Sequence, residues 1–346
     1  MDATILLFLV QDGLTNGAIY ALLGFALVLL FTVTRTIFIP QGDFVAYGAL
    51  TYALLRAGHL PGTVKLLAVF GATALAVELW SRRRDLTPGF IATQCATKLG
   101  VPLAIWAVVA VLGAAPRPVL LDLALTIAIV GPMGPYLYRI VFQPLGGATV
   151  LTLFIAAVAV HIALIALGLA FFGPEGQRAP ALIATSLKLG PVVVSGQSLA
   201  VYATTILLTA ALSAFFALTL RGKALHASAV NALGARLVGI DTHVSAKIAF
   251  ALAATIGAVS GVLIVPMTTI YYDSGFVIGL KGFVAAIFGG LGSFIITGIA
   301  AFSVGIVEAL ASFFASSFKE IIVFSLIIPV LLVRSARSHH GDDEDH

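Results

Sequence analysis

Apolar residues fill long stretches of this chain, each about twenty residues long, with short polar segments between them. Stretches such as Ala21 to Val33 and 150–172 are apolar on every face, whereas strands of a membrane barrel alternate polar and apolar residues. The pattern therefore predicts an all-α polytopic membrane protein. It indicates a bundle of about 9–11 transmembrane or re-entrant helices, with candidate spans at residues 5–31, 38–56, 63–80, 98–114, 119–138, 150–172, 199–220, 244–266, 278–296, 299–317 and 320–334.

Two of these candidate spans contain residues that interrupt helices. Pro40 and Gly42 lie near the start of the 38–56 span. The 278–296 span is crowded with glycine, at Gly279, Gly282, Gly289, Gly290 and Gly292. Either segment is therefore expected to be re-entrant or partly unwound rather than a plain crossing.

The composition excludes a soluble domain of any size. Hydrophobic residues occupy 60 % of the 346 positions and charged residues only 10 %, with a mean hydropathy of +1.10, whereas soluble domains carry roughly a quarter charged residues. Because apolar stretches continue to Val333, residues 1–338 are predicted to form one transmembrane domain.

The Gly222–Lys223 pair is followed by Ala224, so it does not complete a nucleotide-binding loop. With no metal or nucleophile motif either, the chain is not predicted to be an enzyme.

Basic residues indicate the orientation in the membrane. If every candidate segment crosses, one side of the membrane receives most of them, and that side is expected to be cytoplasmic. The N-terminus is then outside and the C-terminus inside. The residues on this cytoplasmic side are Arg35, Arg82, Arg83, Arg84, Arg139, Arg221, Lys223, Arg236, Arg334 and Arg337.

Two polar segments are predicted to lie outside the bilayer. The longest exterior connection, Gly173 to Ser198, contains three prolines and is either an ordered loop that contacts an external partner or a plain connector. The end of the chain, 339–346, combines histidines with acidic residues, a composition that favours a disordered tail over a weak metal site.

The segment from Arg221 to His243 is too polar to cross lipid, although long apolar spans flank it. If it is helical, its many small residues would let another protein surface approach its backbone closely. The alternative is an amphipathic helix that lies on the lipid headgroups. The small residues are Ala227, Ala229, Ala232, Gly234, Ala235 and Gly239.

This segment resembles the coupling segment of LivH-type permeases from branched-chain amino acid ABC importers, including the similar ending Val-Gly-Ile-Asp at 238–241. Further blocks resemble that family in the same order, at Gly13–Leu27, Gly42–Ala49, Gly279–Ser293 and Gly305–Leu310. The similarity covers roughly residues 10–56 and 119–334, and an ordered set of blocks is more specific than any one of them. Residues 60–118 have no counterpart in the family pattern and are predicted to be an added helical hairpin.

The resemblance implies a permease of the type II ABC importer kind in the bacterial inner membrane. It implies a LivM-like permease partner, two cytoplasmic ATPase subunits and a periplasmic solute-binding protein, with lipids around the bundle and no nucleic acid. The permease itself would need no cofactor, because ATP would be bound by the ATPase subunits. Residues expected to couple to the ATPase are Ala227, Asn231, Gly234, Arg236, Gly239 and Asp241.

Departures from the family pattern leave the cargo open. Pro40 and Gln41 stand where these permeases usually have Ala and His, and Asp43 stands for Glu. Val230 occupies a position that is usually acidic or an amide, and the Pro-Gly expected after Ser293 is replaced. Branched-chain or other amino acids, urea and small aromatic acids are all compatible with the sequence as cargo.

A secondary transporter driven by an ion gradient is the alternative function, since such proteins also use broken helices and buried charges.

Polar groups within membrane spans are costly and are therefore candidates for the transport pathway. Gln41, Asp43, Lys281 and Glu308 are the residues expected there. Each charged one also has a structural interpretation: Asp43 could cap the helix that follows Pro40, Lys281 could snorkel to the interface, and Glu308 could pair with a nearby polar group.

Overall fold

The computed structural model describes residues 3–83, 87–113, 117–189 and 192–332. Arg84, Arg334, Arg337, Pro191 and the predicted tail 339–346 lie outside these residues. Two short strands, β1 (Ser186–Leu189) and β2 (Val192–Ser195), pair antiparallel. The α-helices are α1 (Ala3–Thr34), α2 (Gln41–Arg56), α3 (Gly62–Ser81), α4 (Pro88–Lys98), α5 (Gly100–Leu112), α6 (Val119–Val130), α7 (Met133–Leu137), α8 (Val150–Phe172), α9 (Gly196–Leu218), α10 (Leu220–Val230), α11 (Ala232–Leu237), α12 (Thr242–Ile264), α13 (Gly275–Phe288), α14 (Phe294–Phe314) and α15 (Lys319–Ser325).

Eight helical segments among the described residues are long and apolar enough to cross a membrane. This confirms the predicted all-α polytopic fold. A π-helical turn, Tyr138–Phe142, extends α6 and α7, and α4 continues almost directly into α5. The eight segments are α1, α3, α4 with α5, α6 through Phe142, α8, α9, α12 and α14.

The interior of the bundle is formed by close helix contacts at small residues. A Cβ atom at Gly13 would lie 2.6 Å from Cα of Ile306, and one at Gly17 would lie 2.7 Å from Cα of Phe302. These pairs show that α1 and α14 run antiparallel with their backbones in contact. Such contacts replace the hydrophobic driving force that is absent between helices in lipid.

Helix α2 is short because it begins directly after Pro40, and nearly all of it is buried. It runs parallel to α12: Gln41 contacts Ala253, and a Cβ at Gly48 would lie 2.5 Å from Cα of Ala258. Since Ala253 follows the start of α12 by eleven residues, α2 begins about 16 Å along α12. The chain therefore re-enters the bundle before α2 starts, as Pro40 and Gly42 had indicated.

Helix α13 is the second short helix, with 14 residues. Its first turn lies beside the first turn of α2, where a Cβ at Gly279 would lie 2.7 Å from Cα of Gly42. A Cβ at Gly275 would be 3.1 Å from Cβ of Ala46, so the two helices are antiparallel there. The N-termini of two short helices thus meet at the middle depth of α12.

The structure differs from three predicted spans. The span 320–334 is interrupted, since α15 ends at Ser325 and a turn follows at Leu326. The bounds of the predicted span 278–296 are wrong, because α13 ends at Phe288 and α14 begins at Phe294, whereas the predicted interruption of this glycine-rich segment is confirmed. In the turn between them Gly290 has φ +65° and Leu291 has φ +57°, which a helix cannot accommodate. Ser293 then caps α14 by accepting a hydrogen bond from the Ile296 amide at 3.3 Å.

The predicted span 98–114 is also wrong, since its helix starts at Pro88. Thr87 caps this start, and proline fits the first helical position. Lys98 made the preceding residues look like a loop, but its ammonium lies 2.8 Å from Glu78 of α3. Glu78 also lies 2.7 Å from Nε of Arg139, so these charges are paired within the bundle.

Candidate functional site

Buried polar groups meet where α2 and α13 begin. The Asp43 carboxylate, in the first turn of α2, lies 2.8 Å from Nδ1 of His161 in α8. Neither α2 nor α13 has a side-chain cap among the described residues. Helix N-termini carry partial positive charge, so two of them side by side favour a nearby carboxylate. Asp43 supplies that negative charge without capping the helix by a hydrogen bond.

His161 was not among the residues predicted from the sequence. It is buried in the middle of α8, and its ring stacks on Phe276 with centroids 4.9 Å apart. The sequence did contain a signal for His161, because any ionisable residue within a transmembrane stretch is a candidate functional residue. Its partner was not predictable, since Asp43 lies 118 positions away.

Gln41 is fully buried at the first position of α2. Its Nε2 donates to the Ala253 carbonyl oxygen at 3.0 Å, while its Oε1 has no hydrogen-bond partner among the described residues. Gln41 lines a cavity of about 160 Å³ between α1, α8 and α13. The larger apolar side chains around this cavity include Leu27, Phe154, Phe276, Leu280 and Phe283.

Lys281 and Glu308 form a separate cluster. The Lys281 ammonium lies 2.5 Å from Oε1 of Glu308, and the Tyr20 hydroxyl donates to Oε2 of Glu308 at 2.5 Å. Glu320 of α15 adds a second carboxylate, 3.2 Å from the same ammonium. Lys281 and Glu308 are 5 % and 6 % exposed, so the lysine is buried and paired with carboxylates. The four predicted pathway residues therefore fall into two groups, and Gln41 and Asp43 are the pair at the helix junction.

The predicted coupling segment consists of two short helices, α10 and α11, rather than one. Asn231 separates them, and its Oδ1 accepts from the Gly234 amide at 2.9 Å as the cap of α11. Gly239 ends the segment with φ +84°, a left-handed conformation that favours glycine. Asp241 then caps α12 by accepting from the His243 amide at 2.8 Å. Two polar residues of this segment thus have local structural roles.

The corner between α10 and α11 exposes large apolar side chains. The three atoms nearest to an added Cβ at Gly234 all belong to the Asn231 side chain, the closest at 3.3 Å. Arg236 is held by a 3.0 Å hydrogen bond from Nε to the Thr242 hydroxyl, and Ala227 is half-buried. We call the exposed set the apolar corner; its members are 70–81 % exposed and are Val230, Leu233, Leu237 and Val238.

Helix α10 connects this corner to the bundle. Ser228 donates to the Ser245 hydroxyl of α12 at 3.1 Å. On another side, Gly222 sits against the backbone of Phe215 and Phe216, where a Cβ would lie 2.8 Å from Cα of Phe216. The apolar corner is therefore exposed at the end of a firmly packed helix.

Comparisons with known proteins agree with this geometry. The family model described as "Branched-chain amino acid transport system / permease component" matches residues 9–333. The high-affinity branched-chain amino acid transport system permease protein BraD of Pseudomonas aeruginosa is 27 % identical over 230 residues, 64 % of this chain and 75 % of that protein.

The corresponding LivH proteins of Escherichia coli K12 and Salmonella typhimurium are 36 % and 35 % identical over 135 residues, 38 % of this chain. These two alignments span 44 % of the LivH proteins, less than half of their length. No solved structure matches the chain significantly.

Proposed function

Because the chain belongs to the family of permease components of branched-chain amino acid transport systems, we propose that it is the membrane-spanning permease subunit of an ATP-binding cassette importer in the bacterial inner membrane. The proposed cargo is branched-chain amino acids, the substrate class for which BraD and LivH are named. The chain would supply the path through the membrane and no catalytic step.

The complete transporter would contain a second, LivM-like permease, two cytoplasmic ATPase subunits and a periplasmic solute-binding protein. ATP would be bound by the ATPase subunits, since Gly222–Lys223 of this chain does not form part of a nucleotide-binding loop. The paired strands β1 and β2 lie in the connection proposed to face outward, where the solute-binding protein would dock.

The apolar corner is the observation that carries the coupling part of this proposal. Four large apolar side chains are exposed on a segment that is too polar to cross lipid. Exposed apolar groups clustered in this way mark contact surfaces. We assign this surface to the ATPase subunit, with Ala227, Asn231, Gly234, Arg236, Gly239 and Asp241 forming or shaping the contact.

Helix α12 would carry movement from the ATPase into the bundle. Its start is capped by Asp241 and hydrogen-bonded to α10 through Ser245. Eleven residues further on, its Ala253 carbonyl accepts the amide of Gln41. A shift of α11 would thus reach the start of α2 through one rigid helix, about 16 Å away.

The transport pathway would pass the junction of α2 and α13, beside Gln41 and Asp43. Half-length helices that meet at mid-depth are typical of transporter binding sites, because their exposed N-termini can face an anionic group of the cargo. Alternating access would open the bundle to each side in turn. Lys281 and Glu308 would hold α13 against α14 while this happens.

An ion-coupled secondary transporter remains a second candidate, favoured by the buried Asp43–His161 pair at the junction. A transport assay in proteoliposomes distinguishes the ABC importer from the secondary transporter. The complex co-purified through a tag on this chain is reconstituted, and the solute-binding protein is added on the side opposite the ATPase subunits. Uptake of radiolabelled leucine is measured with and without ATP on the ATPase side, and separately under an imposed proton gradient with and without a protonophore.

The ABC importer requires ATP and tolerates the protonophore, whereas a secondary transporter shows the reverse. Competition with excess valine, urea or benzoate identifies the cargo class in the same assay. Inhibition by valine alone is expected, and inhibition by urea or benzoate would overturn the cargo assignment.

A further inference from the structure

We propose that the cavity beside Gln41 receives the branched apolar side chain of the transported amino acid, and that the Gln41 side chain turns so that its Oε1 accepts a hydrogen bond from the α-ammonium group of this cargo. This inference rests on the cargo class proposed above. It assigns a binding subsite within the membrane-spanning subunit itself, separate from any site on a solute-binding protein.

The size and lining of the cavity fit a branched aliphatic group. Its volume is about 160 Å³, and phenylalanine and leucine side chains surround it. An apolar cavity of about 150 Å³ in another protein is large enough to hold benzene, a molecule of six carbons. The three- or four-carbon side chains of valine, leucine and isoleucine therefore fit within it.

Gln41 gives the cavity a polar group without a partner. The Ala253 oxygen can only accept a hydrogen bond, so the amide nitrogen of Gln41 faces it and Oε1 takes no part in that contact. That oxygen is fully buried and has no donor among the described residues, so the Gln41 side chain must turn toward the cavity before a ligand can reach it. A buried carbonyl without a donor is costly, and a ligand N–H would satisfy it. An ammonium is the strongest such donor that an amino acid carries.

The surroundings of Gln41 also suit the remaining group of the cargo. The first turns of α2 and α13 lie side by side next to Gln41. The N-termini of the two helices carry partial positive charge and therefore attract a carboxylate. Asp43 is engaged by His161 at 2.8 Å, which limits its repulsion of a second carboxylate. Phe276 connects the two regions, because it lines the cavity and stacks on His161.

Photo-leucine, a leucine analogue with a diazirine in its side chain, tests this assignment directly. The purified transporter in proteoliposomes is irradiated with photo-leucine, and labelled peptides are mapped by mass spectrometry. We expect adducts on cavity residues of α8 and α13, including Phe154 and Leu280, that excess leucine displaces. Competing alanine should be weaker than valine by about fourfold for each methylene-sized group it lacks.

A matched pair of variants sharpens the test. Leu280→Trp fills the cavity and should lower the displaceable labelling by at least about tenfold. Ile155→Trp places the same bulk on the exposed side of α8, next to Phe154, and should leave the labelling unchanged. If Leu280→Trp does not fold, the label map of the unaltered protein decides the matter alone.

Adducts that avoid the cavity, or that excess leucine does not displace, would overturn the subsite even where the same vesicles import leucine. Vesicles that contain the ATPase subunits and receive both ATP and the solute-binding protein, yet fail to import leucine, would instead overturn the proposed function and its cargo. Leucine uptake measured beside the labelling therefore separates the two failures.

Discussion

Asp43 and His161 are 118 positions apart in the chain, yet the aspartate carboxylate lies 2.8 Å from the imidazole Nδ1 in the interior of the bundle. The pair links α2 to α8 at the depth where α13 also begins. It places a carboxylate beside two helix N-termini, which accounts for an acidic residue in a nearly fully buried helix.

Breaking this pair should destabilise the bundle. His161→Leu leaves the Asp43 carboxylate buried without its partner, and removal of one member of a buried pair commonly costs about 3–5 kcal/mol. Asp43→Asn with His161→Leu should cost less than the sum of the two single changes, because no buried charge remains. Thermal unfolding of the detergent-solubilised protein measures both effects. Ile162→Leu, on the exposed side of α8, is the control, and strict additivity would show that the two residues are not coupled.

The Lys281–Glu308 pair is expected to stabilise the fold rather than to contact the cargo. Lys281→Met should lower the free energy of unfolding by about 3–5 kcal/mol, since Glu308 and Tyr20 would lose a buried cation. Lys281→Met with Glu308→Met should recover stability and leucine uptake together, because well-packed apolar residues can replace a buried pair. A double variant that is stable and correctly inserted but does not transport would place Lys281 on the pathway.

The junction of α2 and α13 depends on the absence of side chains. Gly279→Ala would put a methyl group 2.7 Å from Cα of Gly42, and backbone atoms cannot move aside easily. We expect a loss of about 1–3 kcal/mol and a lower unfolding temperature. Gly292→Ala is the matched control, because its nearest atom would be 3.8 Å away. Equal unfolding temperatures for the two variants would contradict the close contact.

Much of the fold could be predicted from the pattern of apolar residues. Pro40 and Gly42 indicated the late start of α2, and the polarity of Arg221 to His243 excluded that segment from the membrane. Both are local features, so the sequence alone reveals them. The exact ends of the helices were harder to predict where a charged residue pairs with a residue far away in the chain. Lys98, which pairs with Glu78, is an example.

The candidate site shows the same limit more strongly. Asp43 and Gln41 were identifiable as polar residues in a membrane span, but their partners lie on α8 and α12. The cavity beside Gln41 arises only when three helices come together, and no periodicity encodes it. Asn231 was expected to contact a partner protein, and its additional role as a helix cap became visible only from the Gly234 hydrogen bond.

The apolar corner and Gly234 provide the most direct test of the central claim that this permease is driven by an ATPase docked on α11. The atoms nearest to an added Cβ at Gly234 belong to the exposed Asn231 side chain, so we expect Gly234→Trp to fold and insert. It would, however, separate α11 from a docked partner. Gly100→Trp adds the same bulk at a position with open space in the α4–α5 segment and serves as the control.

The measurement is ATPase co-purification together with ATP-driven leucine uptake for both variants. The account predicts that Gly234→Trp weakens the ATPase complex by about 5- to 150-fold, the equivalent of about 1–3 kcal/mol, and lowers uptake in parallel, while Gly100→Trp changes neither. A Gly234→Trp permease that keeps its ATPase and transports leucine at the unaltered rate would contradict it.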